Sequence, residues 1–235
     1  MMKKLILILT TTLIFVSCNS GIEGEGAATA VKEFKAENFS QIEANCNCDV
    51  TMIPSEVNKV IVESHQNLID NLEIKNSGKK LIIKEKQKVK QYDLLNINVY
   101  IKPDLEKIEL NRQAKMKIAG AIKANKLKIK AKGQSSILQS YLDIKDLELD
   151  FSGQSIVNLS GTAIKLDVQT SDETQADLFD LQSVEVKFDT QDNSGLKLNV
   201  MKDLRGQASD NAQVSYTGDP NKNTTEKDRA LINKK

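Results

Sequence analysis

The chain has 235 residues, 33 basic against 32 acidic side chains, no tryptophan and few other aromatics (six Phe, four Tyr). So even a balance gives no long-range pull toward nucleic acid, and only Arg112, Arg205 and Arg229 carry the forked guanidinium that phosphate recognition favours. The scarcity of aromatic rings leaves little material for stacking bases or sugars.

Lys3 and Lys4 open the chain, Leu5 to Val16 form an uncharged and largely apolar stretch, and Phe15-Val16-Ser17 runs into Cys18. A charged start and a short apolar core predict a secretory signal over residues 1–17, too short for the ~20 apolar residues of a spanning helix. The small residues before Cys18 resemble a bacterial lipobox, which implies cleavage before Cys18 and a diacylglycerol on its thiol. Acyl chains contribute roughly 0.8 kcal/mol per buried CH₂, so the expected place is the cell envelope, lipid-anchored to the outer membrane and facing the periplasm or the surface. Losing Lys3 and Lys4 with the signal lowers 33 basic residues to 31 against 32 acidic. Residues 18–33 are rich in Gly, Ala and Glu without an apolar period, which predicts a flexible tether.

The next feature is Asn45-Cys46-Asn47-Cys48-Asp49. These cysteines read first as small half-buried residues at a turn, with a small-loop disulfide between Cys46 and Cys48 as the alternative. His65 is the only histidine, so two thiols and one distant imidazole make a poor metal set, and neither a metal nor another cofactor is expected.

From Phe34 onward apolar residues alternate with polar ones, as in Val60-x-Val62, Leu81-x-Ile83 and Ile97-x-Val99-x-Ile101. This is the pattern of half-buried strands; only Ser64 to Leu72 has room for a helical turn. Beyond residue 105 the pattern repeats. A small residue at 114, 135, 155, 174, 194 and 212 is followed two positions later by Met116, Ile137, Val157, Ala176, Leu196 and Val214. Six positions before it stand Ile108, Ile129, Leu149, Val168, Phe188 and Gly206, and eight before it Glu106, Leu127, Leu147, Leu166, Val186 and Leu204. The spacings are 21, 20, 19, 20 and 18. Strand alternation inside a period near twenty predicts an all-β, right-handed parallel β-solenoid, one domain over residues 34–220, with residues 221–235 as a polar C-terminal segment. At ~4.8 Å per coil, six coils make a rod on the order of 30 Å long.

Two positions before the small residue come Gly133, Gly153, Asp172, Asp192 and Asp210. Glycine supplies positive φ and aspartate bonds its own turn, so this column reads as structural corners. The rival reading takes the aspartates, recurring in adjacent coils, as the carboxylates of a polysaccharide lyase or hydrolase. Lys126 to Lys132, with a lysine at every second position, reads as a solvated strand face that discourages strand addition, the alternative being a basic stripe for acidic polysaccharide.

Several short segments carry a family resemblance in their order: Phe39-Ser-Gln-Ile42-Glu, Cys48-Asp49-Val50-Thr-Met52, Lys59-Val60-Ile-Val62-Glu63, Leu81-Ile-Ile83, Asn98-Val99-Tyr-Ile101-Lys-Pro103-Asp-Leu105, the Gly-x-Ser corners and Tyr216-Thr-Gly218-Asp-Pro220. Over nearly the whole mature chain they resemble the bacteroidete auto-transporter adhesin, head GIN domain family. The sequence departs from that family's glycine-rich corners at Ala114 and Asp172, and places Cys-x-Cys where small glycines are usual. The resemblance implies a lipid-anchored or secreted β-helix-like domain and supplies no catalytic residues. The expected function is a non-catalytic envelope or surface module, held to the membrane by its lipid and binding a glycan or an envelope protein. Alternatives are the lyase or hydrolase reading and a structural envelope assembly factor.

Overall fold

The computed structural model describes residues 21–235. Strands β1 (Ile22–Glu23) and β2 (Ala30–Phe34) lead into β3 (Gln41–Cys46) and β4 (Asp49–Pro54). Next come β5 (Lys59–Ser64), the short helix α1 (Gln66–Asn71), β6 (Leu72–Ser77), β7 (Lys80–Glu85), β8 (Val89–Gln91) and β9 (Leu95–Ile101). The rest winds steadily through β10 (Lys107–Arg112), β11 (Lys115–Ile118), β12 (Ala121–Ala131), β13 (Ser136–Phe151), β14 (Ile156–Thr170), β15 (Gln175–Thr190) and β16 (Gly195–Ala208). It ends on β17 (Gln213–Thr217), β18 (Asn221–Glu226) and β19 (Leu231–Lys234).

From β10 to β19 every pairing is parallel, making a β-solenoid of about six turns. The apolar columns read from the repeat face one another directly. Ile108, Ile129, Leu149, Val168, Phe188 and Gly206 are successive partners, as are Leu127, Leu147, Leu166, Val186 and Leu204. Apart from Gly206 all of these are buried. Each such aliphatic side chain contributes roughly 1.5–3 kcal/mol when withdrawn from water. One coil cannot close this core alone, so the stack is the folding unit.

Stacking order and chain order part company at the N-terminal end. The β3–β4 coil lies between β10–β11 on one side and β7 and β9 on the other, all parallel. Beyond them the pairing turns antiparallel: β6 on β7, β5 on β9 and β2 on β5. This change of direction closes one end of the rod without another coil. Helix α1 occupies the one stretch with room for a helical turn and buries Leu68 and Ile69.

Two boundaries differ from expectation. The tether of residues 18–33 is not free along its described part. Ile22 lies beside Val89 in β8, Ala30–Phe34 pairs with β5, and the Asn67 side chain holds the Glu23 carbonyl at 2.7 Å and the Glu25 N–H at 3.1 Å. Its partners come from residues 60–91, so no local periodicity announces the pairing. Residues 221–235 are likewise not a polar tail but the last coil, β18 lying on β16 and β19 on β17. There Lys222, Thr224 and Glu226 stand opposite Leu204, Gly206 and Ala208, so the inward apolar signal fades while backbone pairing continues.

Candidate functional site

The corner column has one conformation throughout. Arg112, Gly133, Gly153, Asp172, Asp192, Asp210 and Asp228 all hold φ between 57° and 77°, the left-handed region where Gly and Asp are tolerated best. Within their own turns Asp172 and Asp210 accept only from the hydroxyls of Ser171 (3.5 Å) and Ser209 (3.0 Å), and the backbone N–H groups the aspartates take belong to another coil. Each reaches back one coil: Asp172 Oδ2 accepts from Gly153 N–H at 2.8 Å, Asp192 from Asp172 N–H at 3.0 Å, Asp210 from Asp192 N–H at 3.4 Å and Asp228 from Asp210 N–H at 3.5 Å. One position later runs an amide ladder, Gln113 to Gln134 at 2.9 Å, Gln134 to Gln154 at 3.0 Å and Gln154 to Glu173 at 2.8 Å. The corners hold coil to coil.

Inside the corner lie Ser135, Ser155, Thr174 and Ser194, all buried. Ser155 and Ser194 hydroxyls donate to the carbonyls of Ser152 (2.7 Å) and Gln191 (2.5 Å), which closes the turns locally.

Cys46 and Cys48 occupy this corner in the β3–β4 coil, fully buried and joined as a disulfide with their Cα atoms 5.4 Å apart. Cys46 lies opposite Arg112. The Arg112 side chain reaches the fully buried Glu85 carboxylate, Nη1 to Oε1 2.9 Å, and Glu85 Oε2 accepts the N–H groups of Asn47 and Val89, both at 3.3 Å. The buried carboxylate thus has an ion partner near one oxygen and two N–H donors at the other, while Oε1 accepts no hydrogen bond. Among the described residues no group of three or more His, Cys, Asp or Glu side chains could hold a metal ion.

The lysine-rich strand β12 is ion-paired to the next coil: Lys126 and Lys128 both reach Glu148 at 2.8 Å, and Lys130 reaches Asp150 at 2.5 Å. Lys126 and Lys128 hold the Glu148 carboxyl down at about 2. Two carboxylates thus offset part of the charge of the stripe. Glu73 and Asp219 are also lowered by lysine partners, and at Glu109 the lysines outweigh an opposing push from burial.

What remains open is the flank. A groove of about 820 Å³ runs along the rod from Asp104 past Lys123, Asp143 and Thr162 to Gln182 and Met201. It crosses successive coils at about 4.8 Å each, so its length is on the order of 20 Å. Ile164 and Met201 line it and are 49% and 54% exposed. Sequence reasoning missed this groove, because its lining points outward from several coils and no single strand carries a pattern for it. The predicted lipidation residue, Cys18, lies outside the described residues. No described helix is long and apolar enough to cross a membrane.

Short parallel coils, locked corners and a long open flank define a β-solenoid domain. Residues 38–220 match the family described as "Putative auto-transporter adhesin, head GIN domain", and the chain belongs to that family. Its fold is that of a "putative adhesin" from Bacteroides fragilis (TM-score 0.84, 17% identity, 91% of this chain and 100% of that one covered). A "putative lipid binding protein" from Parabacteroides distasonis aligns with TM-score 0.75 at 16% identity over 91% of this chain and 98% of its own. A "putative adhesin" from Parabacteroides merdae gives 0.72 at 16% identity over 92% and 99%. At such identities these structures speak for the fold alone. No curated protein matches the sequence.

Proposed function

We propose that the protein is a non-catalytic envelope lipoprotein, anchored through Cys18, that binds an extended glycan along its flank in the manner of an adhesin. The observation that carries this reading is the groove with Ile164 and Met201 exposed in its lining. Apolar side chains suit the C–H faces of sugar rings, and the hydroxyl and amide of Thr162 and Gln182 and the carboxylate of Asp143 suit their hydroxyls. The carboxylates favour binding over catalysis. The corner aspartates accept backbone N–H groups, and lysine partners hold the carboxyls of Glu73, Glu109, Glu148 and Asp219 below the usual carboxylate range.

The test is an array of bacterial and host glycans probed with the purified chain and with Ile164→Asp and Met201→Asp. Binding of at least one glycan should fall about tenfold for each substitution, the loss expected of one buried apolar side chain. Binding indifferent to both, or no bound glycan, would overturn the reading and leave the envelope assembly role as the better one.

A further inference from the structure

The first described residues are fastened at one place. The Ile22 N–H donates to the Lys88 carbonyl at 2.9 Å, and Gly24 N–H to that of Gln91 at 3.3 Å. Gly21 runs so close that a methyl group there would fall 2.8 Å from Lys90 Cγ and 2.9 Å from the Lys88 carbonyl. Gly21, the first described residue, therefore lies against Lys88 and Lys90.

Three lysines stand beside that point. Lys86, Lys88 and Lys90 are exposed, and the stretch Lys86-Gln87-Lys88-Val89-Lys90 holds no acid. Lys86 Nζ donates to the Asp70 carbonyl at 2.6 Å, which fixes its position without cancelling its charge. None of the three is ion-paired to a described carboxylate, whereas Lys80, Lys84, Lys126, Lys128 and Lys130 all are. Glu23 and Glu25 follow further along the strap, where Asn67 fastens it to α1.

Gly21 is three positions along the chain from Cys18, at most about 10 Å of extended chain. A lipid on Cys18 thus brings this end of the rod to within about a Debye length of the bilayer surface, where lysines attract anionic headgroups. We infer that Lys86, Lys88 and Lys90 form a basic collar that seats the rod end on phosphate-bearing lipid headgroups. The collar sets the orientation. The closed, antiparallel end faces the membrane and the grooved coils stand away from it. This rests on the Cys18 anchor proposed above.

The experiment uses the processed full chain in phosphatidylcholine vesicles with or without phosphatidylglycerol. Lysines are acetylated and read by mass spectrometry. Lys86, Lys88 and Lys90 should be protected several-fold in the anionic vesicles only, with protection lost in high salt and Lys222 and Lys227 labelled equally throughout. Equal labelling of the collar in both vesicles would overturn the inference. The same spectra report whether Cys18 carries acyl chains. If it does not, the anchor reading fails and the collar is judged by co-sedimentation with the anionic vesicles. That binding should weaken on the order of a hundredfold in the Lys86→Gln, Lys88→Gln, Lys90→Gln protein, about fivefold per lysine. Unchanged sedimentation would overturn the collar on its own.

Discussion

Asp192 Oδ2 accepts the backbone N–H of Asp172, one coil earlier, at 3.0 Å, while both residues hold φ at 61°. One side chain thus fulfils two requirements, a left-handed corner and an acceptor for the corner below. Asp192→Asn keeps both and should leave stability near that of the parent. Asp192→Ala keeps neither and should cost about 1–2 kcal/mol, with Asp192→Gly in between. Urea denaturation giving the same midpoint for Ala and Asn would show that the ladder carries no weight.

Leu149 and Leu166 are buried in neighbouring coils. Each leucine-to-alanine change should cost about 2–5 kcal/mol. Lys128→Ala should stay within about 0.5 kcal/mol, since its pair with Glu148 is partly exposed and such pairs contribute little. Chemical denaturation that ranked the lysine change as the larger would mean the alternation is assigned to the wrong faces.

Arg112 is the single ion partner of the fully buried Glu85 among the described residues. Arg112→Ala strands that carboxylate and should cost about 3 kcal/mol or more. The Glu85→Gln, Arg112→Ala protein should recover part of the loss, since no buried charge remains. A double variant as unstable as Arg112→Ala alone would assign the cost to the left-handed backbone at Arg112 instead.

Glu148 has a carboxyl lowered from 4.5 to about 2 by Lys126 and Lys128. A depressed carboxyl stabilises the fold above its unfolded value and loses that contribution as pH falls through its folded value. Part of the acid destabilisation between about pH 4.5 and pH 2 should therefore vanish in Glu148→Gln, read as a flatter plot of stability against pH. Identical slopes for parent and variant in that window would remove Glu148 from the acid response.

Cys18 should be the first residue of the processed chain and carry acyl groups, seen as the mass of its N-terminal peptide. A Cys18→Ala protein should no longer fractionate with membranes. An intact signal, or unchanged fractionation, would end the lipoprotein reading.

The coils from Lys107 onward were legible because their inward columns are apolar and each coil faces the next in sequence, so a period of about twenty maps directly onto a stack. The N-terminal arrangement was not. Alternation in β5 and β6 shows which face is buried but is silent on whether the neighbouring strand runs parallel or antiparallel. The last coil left a usable trace in Asp228, Ala230 and Ile232, which repeat the corner, small and apolar positions of Asp210, Ala212 and Val214 eighteen residues on. The hydrophilic run from Asn221 to Glu226 hid it. The aspartate corners were identified as turns, yet their hydrogen-bond partner, a backbone N–H one coil away, has no sequence signature.

The interleaving of the β3–β4 coil sets an order of assembly. Ile42 lies opposite Ile108, 66 positions away, whereas Leu149 lies opposite Val168, only 19 away. As the chain is made, β3 and β4 have neither parallel neighbour until β7, β9 and then β10 and β11 have appeared, so the longest loops close first and most slowly. Every later coil finds a finished edge and adds through a short loop. Folding should therefore be limited by the segment up to Ile118. Substitutions there should slow refolding, and equally costly substitutions in later coils should appear as faster unfolding.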